Sequence, residues 1–258
     1  MKRVIIIAAG RGSRLEGFTD EKPKCMVSVG GRSILDHQLA AFEACGVTDI
    51  HIVRGYLATR LTVDGATYHE NPRWEQNNIL HSLFCAEEAL EGPLLTTYSD
   101  IVFTADVVKA ALSAPGDINL IVDRQWRRAY QGRHDHPVEQ AELTRVDDTG
   151  QITAVGKQVP PDGALGEFIG LASYTARGTE ALREHFHRVR ERLTDDAPFR
   201  QGRPFRRAYL ADLFEEMIDA GVPLTAVPID GGWREIDTVQ DLHAVRDAWS
   251  PAEDTHCS

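Results

Sequence analysis

Short apolar runs rich in Val, Ile and Leu recur near residues 3–8, 48–53, 94–98 and 118–122, with apolar residues at helical spacing between them. That alternation predicts an α/β fold: a Rossmann-like, mostly parallel mixed sheet flanked by helices. "SILDHQLAAFEACG" (33–46) carries the helical signal in full. Ser33 and Asp36 make a capping box, Leu35, Leu39 and Phe42 share a face, and Gly46 suits the left-handed position past the helix end. From about residue 138 the period changes. "VEQAELTRVDDTGQITAVGK" reads as two extended runs joined at "DDTG", with Gly150 in the turn, and "EFIGLASYT" adds a third run. Helices at about 177–193 and 207–220, a strand at "PLTAVPI" and a closing helix near 238–248 complete the pattern. In the second of these helices Leu210, Phe214, Met217 and Ile218 have the spacing of a core face. The second half is therefore expected to be an antiparallel elaboration of one domain over residues 1–250, followed by a flexible tail at 251–258.

The chain of 258 residues, 42% of them apolar, is long enough to bury a substantial core. Its 28 Lys and Arg against 39 Asp and Glu, a net charge of −11, argue against the broad basic face that nucleic acid requires. No run approaches the ~20 apolar residues of a membrane span, and the first apolar run is too short for a signal-peptide core. A cytoplasmic protein with no membrane partner is expected, with homo-oligomerisation left open. Cys25, Cys45, Cys85 and Cys257 have neither metal-ligand nor disulfide-framework spacing, which agrees with a reducing compartment. Locally the charge reverses: residues 1–32 hold Lys2, Arg3, Arg11, Arg14, Lys22, Lys24 and Arg32 against Glu16, Asp20 and Glu21. Such a cluster suits a small polyanion.

These cations surround "AAGRGSRL" (8–15), a glycine turn directly after the first apolar run. It lacks the third glycine of the dinucleotide fingerprint and the lysine of a Walker loop, and leaves backbone N–H groups free to face phosphates or a base. "EKPKCMV" (21–27) then adds Pro23, which stiffens the chain, and Lys24, a point charge suited to a phosphate oxygen. Taken singly, Asp100 after "LLTTYS" and Asp237 in "WREID" are ordinary turn or cap residues, and the Asn77–Asn78 pair is an ordinary helix start. In "RHDHP" (133–137), neighbouring side chains point in different directions, so His134 and His136 are read as a loop and not as a metal site.

The glycine turn and "KPKCMV", followed by "ENPRWEQNNILHSL" (70–83), "TTYSDIVF" (96–103), "AVGK" (154–157), "GEFIGLASY" (166–174) and "WREIDTVQDL" (233–242), resemble the nucleoside triphosphate transferase family. The likeness is to its small-acceptor branch, the phosphonate and choline-phosphate cytidylyltransferases. It implies transfer of CMP from CTP to a small phosphonate or phosphate with release of pyrophosphate. A glycosyl-1-phosphate nucleotidyltransferase and a non-catalytic nucleotide-sensing subunit are the alternatives. By the same resemblance Mg2+ would be held by Asp100 and Asp237. Arg14 would meet the β- and γ-phosphates, Lys24 the α-phosphate and Lys157 the acceptor phosphate. Ala8, Ala9, Gly10, Gly12, Ser13, Asn77, Asn78 and Ser82 would bind the nucleotide, and Trp126, Tyr130, Arg133 and Glu167 the acceptor. "DRQWRRAYQGRHDHP" (123–137) surrounds Trp126 and Tyr130 with Arg124, Arg127, Arg128, Arg133 and His134. Those cations would favour an acceptor with an anionic group over phosphocholine, Arg133 being the one expected to point inward while the others lie on a solvated face.

Overall fold

The computed structural model describes residues 2–249. Its first half runs β1 (Lys2–Ala8), β2 (Ser28–Val29), β3 (Arg32–Ser33), α1 (Ile34–Glu43), β4 (Val47–Arg54), β5 (Thr67–Glu70), α2 (Ile79–Leu83), β6 (Leu94–Tyr98), β7 (Ile101–Phe103), α3 (Ala105–Leu112) and β8 (Ile118–Asp123). The second half runs β9 (Leu143–Val146), β10 (Ile152–Gly156), β11 (Gly166–Tyr174), α4 (Ala176–Arg192), α5 (Leu210–Asp219), β12 (Thr225–Ile229), β13 (Trp233–Glu235) and α6 (Val239–Ala248).

One sheet is ordered β10-β9-β11-β6-β1-β4-β5, with β8 beside β11 and β12 beside β8. β1 pairs in parallel with β4 and β6, and β12 with β8, whereas β11 is antiparallel to β6, β8 and β9. The result is the mixed, mostly parallel sheet with an antiparallel elaboration that the hydrophobic pattern predicts. β1 shows why such a strand sits at the centre. Val4, Ile6 and Ala8 enter one core with α1 and α3 residues such as Leu35, Phe42 and Val108. Ile5 and Ile7 enter the other with Leu83 of α2, Phe186 of α4 and Phe214 of α5. A run apolar at every position is what a strand covered on both faces needs.

The capping box that starts α1 is formed: Asp36 N donates to Ser33 Oγ at 3.0 Å and Ser33 N to Asp36 Oδ2 at 3.1 Å. Two features lie outside the sequence expectation. β5 is a short, half-exposed edge strand, "TYHE", with no apolar run to reveal it. β7 and β13 form a separate antiparallel ribbon away from the main sheet. A third core, with Leu15, Val27, Val102, Ile236 and Leu242, packs the segment after β1 against that ribbon and α6. The expected tail at 251–258, with Cys257, lies outside the described residues. No helix among the described residues is long and apolar enough to cross a membrane, and Cys25, Cys45 and Cys85 are free thiols.

Candidate active site

The chain leaves β1 at Ala8 and turns through Gly10 and Gly12, at the carboxyl-terminal end of parallel strands where α/β sheets hold their ligands. Gly12 has φ 69°, and a Cβ there would come within 2.6–2.9 Å of three carbons of the Lys24 side chain. The loop thus closes on the stem of Lys24, which is 7% exposed. The ammonium bridges Asp100 Oδ2 at 2.8 Å and Asp237 Oδ1 at 2.7 Å. Asp100 lies in the turn between β6 and β7, and Asp237 follows β13. Pairing of Glu235 with Ile101, and the bond from Ile236 N to Asp100 O at 2.8 Å, is what brings these remote aspartates together.

Asp237 is the most heavily engaged group. It also meets Arg14 Nη2 at 2.6 Å, and His136 Nδ1 lies 2.9 Å from its Oδ2. Burial alone would raise its carboxyl; Lys24, the His136 hydrogen bond and Arg14 outweigh it and hold the group well below the usual carboxylate range. For Lys24, burial lowers and the two aspartates raise, with the aspartates winning. The other Asp100 oxygen, Oδ1, is buried with no hydrogen-bond partner.

Two adjoining cavities flank this cluster. The first, about 260 Å³, is lined by Ala9, Gly10, Gly12, Trp74, Asn77 and Ser82. Behind its wall, Asn71 Nδ2 donates to Asn77 Oδ1 at 2.8 Å and to Ser82 Oγ at 2.9 Å, fixing both polar groups. The second, about 250 Å³, has Tyr98, Glu142, Lys157, Glu167, Tyr209 and Glu235 on its walls. Arg14, Asn78, Ile79, Tyr98 and Asp100 line both.

Arg14, Lys24, Asp100 and Asp237 therefore stand in one cluster, with Ala9, Gly10, Gly12, Asn77, Asn78 and Ser82 on the first cavity and Lys157 and Glu167 on the second. Ala8 is packed in the core, and Ser13 is exposed at the start of a 3₁₀ turn. Asn78 caps α2, its Oδ1 accepting from Ile79 N at 2.9 Å. Lys157 donates to Gln140 Oε1 at 2.9 Å and sits 4.5 Å from the Tyr209 ring centre.

The expected cationic acceptor end is not there. Arg133 does turn inward, but it is held by Asp241 (2.6 and 2.8 Å) and Glu235 (2.7 Å) and lines neither cavity. Arg124 pairs with Asp230, Arg127 donates to the Pro161 carbonyl, Arg128 to Gln125, and His134 is exposed. Trp126, 1% exposed, packs with Ala141, Leu143 and Val159 in a small core of its own. Tyr130 stands behind the wall and donates to Glu167 Oε1 at 2.6 Å. Carboxyl groups line this cavity instead, beside Arg14 and Lys157: burial, joined at Glu167 by the neighbouring Glu235, pushes Glu142 up to about 7 and Glu167 to about 8.

His136, read from the sequence as a loop residue, is buried, and with Glu235 and Asp237 it places ligand-type atoms within 4.8 Å of one another. Glu235 had a usable signal, since Trp233, Glu235 and Asp237 alternate along an extended segment. Asn71, Trp74, Glu142 and His136 had none in their local pattern.

A glycine turn at the end of β1, cations gathered on it, two carboxylates brought beside them and paired cavities define a nucleotidyltransferase. The chain belongs to the family of the MobA-like NTP transferase domain, which matches residues 4–160. It is 29% identical over 251 residues to the CTP:phosphoglutamine cytidylyltransferase of Campylobacter jejuni, covering 92% of this chain and 96% of that one. It is 26% identical over 189 residues to the 2-aminoethylphosphonate cytidylyltransferase of Lancefieldella rimae, covering 71% of each. The solved CTP:phosphocholine cytidylyltransferase of Streptococcus pneumoniae shares the fold, with a TM-score of 0.70 at 18% identity over 95% of this chain and 98% of the other.

Proposed function

We propose that this nucleotidyltransferase moves CMP from CTP to a small phosphonate or phosphate acceptor, with Mg2+ as its cofactor. An oxygen of the acceptor forms a bond to the α-phosphorus while the bond to pyrophosphate breaks, and both reactants are anions. Residues able to neutralise and align them are the first requirement. Arg14 carries this reading: it lines both cavities and is bonded to Asp237, so it stands where triphosphate and acceptor meet. Lys24 lies against the glycine turn and is positioned for the phosphates of the donor, and Lys157 for those of the acceptor. The Asn77 and Ser82 side chains, locked by Asn71, offer a polar edge to a pyrimidine. Cytidine as the base rests on the relatives.

The donor set fits magnesium: Asp100 and Asp237 offer carboxylate oxygens, the type Mg2+ prefers, and Asp100 Oδ1 lacks any partner of its own. Bound by these two side chains, the ion would supply charge that stabilises the phosphates as the α-phosphorus is attacked. His136 orients Asp237 through its ring nitrogen. Incubation with each of CTP, UTP, ATP and GTP and a panel of small phosphonates and phosphates, reading pyrophosphate, tests the proposal. CTP should be preferred. Absence of pyrophosphate with CTP across the panel would overturn it.

A further inference from the structure

Arg14 reaches both cavities from a loop whose own backbone resists its shape. Glu16, two residues on, has φ 48° and ψ −133°, a conformation open to glycine and strained for any residue with a side chain. The Arg14 side chain is half exposed, and among the described residues its one ion pair is to Asp237. Leu15 anchors the loop in the third core at a single point. The hydrogen bonds around it must hold the rest.

Those bonds converge on Tyr56. Thr19, fully buried, donates from Oγ1 to Glu16 O at 3.2 Å, with Gly12 O at 3.4 Å, and so holds the strained residue directly. Tyr56 OH in turn lies 2.9 Å from Thr19 O and 3.2 Å from Asp20 O. At the other end of the loop Tyr56 N donates to Ala9 O at 2.9 Å. The Tyr56 ring is fixed from two sides: the Arg11 guanidinium lies 5.5 Å over it and reaches Asp20 at 3.4 Å, and Trp74 meets it edge-on at 5.3 Å. Gly55 packs so closely that a Cβ there would come within 2.6 Å of Ala9 O and 2.7 Å of the Trp74 Cβ. Tyr56 itself lines neither cavity, so whatever it does for a bound ligand it does through the loop.

A strained backbone persists only where its surroundings over-determine it, and such strain gathers at functional sites. We propose that Tyr56 is a positioning residue: through Thr19 its hydroxyl clamps residues 9–20 in the strained conformation that aims Arg14 at the junction of the two cavities. This rests on Arg14 acting at that junction in a CTP-dependent transferase. Tyr56 OH holds the Thr19 carbonyl, Thr19 Oγ1 holds the Glu16 carbonyl, and Glu16 sets the course of the chain just beyond Arg14.

A double-mutant cycle in the full chain tests this, reading pyrophosphate release from CTP with the best acceptor of the panel. Tyr56→Phe keeps the ring and removes the hydroxyl, and should lower kcat/KM for CTP about fivefold, the scale of one hydrogen bond. Glu16→Gly removes the strain that the clamp opposes. In that background the loss on Tyr56→Phe should shrink to less than about twofold, because a relaxed loop needs no clamp. A tyrosine that merely supports the fold would cost the same in both backgrounds. No loss on Tyr56→Phe, or an equal loss in both backgrounds, would overturn the clamp. If the unaltered chain releases no pyrophosphate from CTP with any acceptor, the proposed function fails instead. Tryptic cleavage after Arg11 and Arg14 then decides the clamp alone: cutting about fivefold faster in Tyr56→Phe supports it, and an unchanged rate overturns it.

Discussion

The two cavities share Arg14 and Asp100 yet settle their charges in opposite ways. In the cluster between the cavities the charged groups are matched within the chain, Lys24 against two aspartates and Arg14 against Asp237, and behind the first cavity the neutral amides of Asn71 and Asn77 are bonded to each other. At the second cavity Glu142 and Glu167 are buried and in no ion pair among the described residues, with Lys157 and Arg133 nearby but not bonded to them. A matched cluster holds its geometry before any ligand arrives, so under the proposed function its cations would already be aimed at the phosphates. A buried carboxyl outside any ion pair instead holds its proton toward neutral pH, so its charge depends on pH.

Removing the hub of the matched side should have the largest effect. Asp237→Asn and Asp100→Asn are each expected to cut turnover by at least about a hundredfold, with excess chelator abolishing activity and added Mg2+ restoring it. Pyrophosphate release measures both, and full activity in chelator would break the comparison at its centre. Lys24→Ala should leave Asp100 and Asp237 as close carboxylates without their buried counter-charge. We expect a stability loss of about 3–5 kcal/mol in denaturant unfolding, together with a fall in kcat.

The unmatched side should show itself through pH. Glu142 and Glu167 titrate near about 7 and about 8 in the folded protein against an ordinary 4.5. The folded state therefore holds protons that the unfolded chain releases. Their contribution to stability is full below the unfolded value and is lost as pH rises through the folded ones. Unfolding free energy of the native sequence relative to Glu167→Gln should fall between about pH 5 and pH 8. The groups around them are Tyr98, Lys157, Asp212 and Glu235 at Glu142, and Tyr130, Arg133, Glu235 and Glu142 at Glu167. A flat difference would show that Glu167 is not desolvated as the structure has it. The smallest effect is expected at Trp126, which lines neither cavity and whose Nε1 has no partner to lose. Trp126→Phe should change kcat/KM by less than about threefold while costing about 1–3 kcal/mol of stability. A large kinetic effect with stability intact would return Trp126 to the acceptor site.

The short strands β2, β3, β5, β7 and β13 apart, the sequence by itself determined the order of the main apolar strands and helices and the place of the glycine turn. Those depend on local period and backbone freedom, which "VIIIAA" and "AAGRGSRL" display within a few residues. It marked Asp100 and Asp237 only through the motifs around them, "TTYSDIVF" and "WREIDTVQDL", since either aspartate alone reads as a turn or cap residue. Only the tertiary structure decided which charges survive to face a ligand. Arg133 looks like an anion-binding residue in "GRHDHP" until Asp241 and Glu235, a hundred residues onward, are found to neutralise it. His136 looks like loop until the β7–β13 ribbon carries Asp237 to its ring. A side chain's effective charge is a property of its neighbours and its burial, and those neighbours come from segments that no local pattern connects.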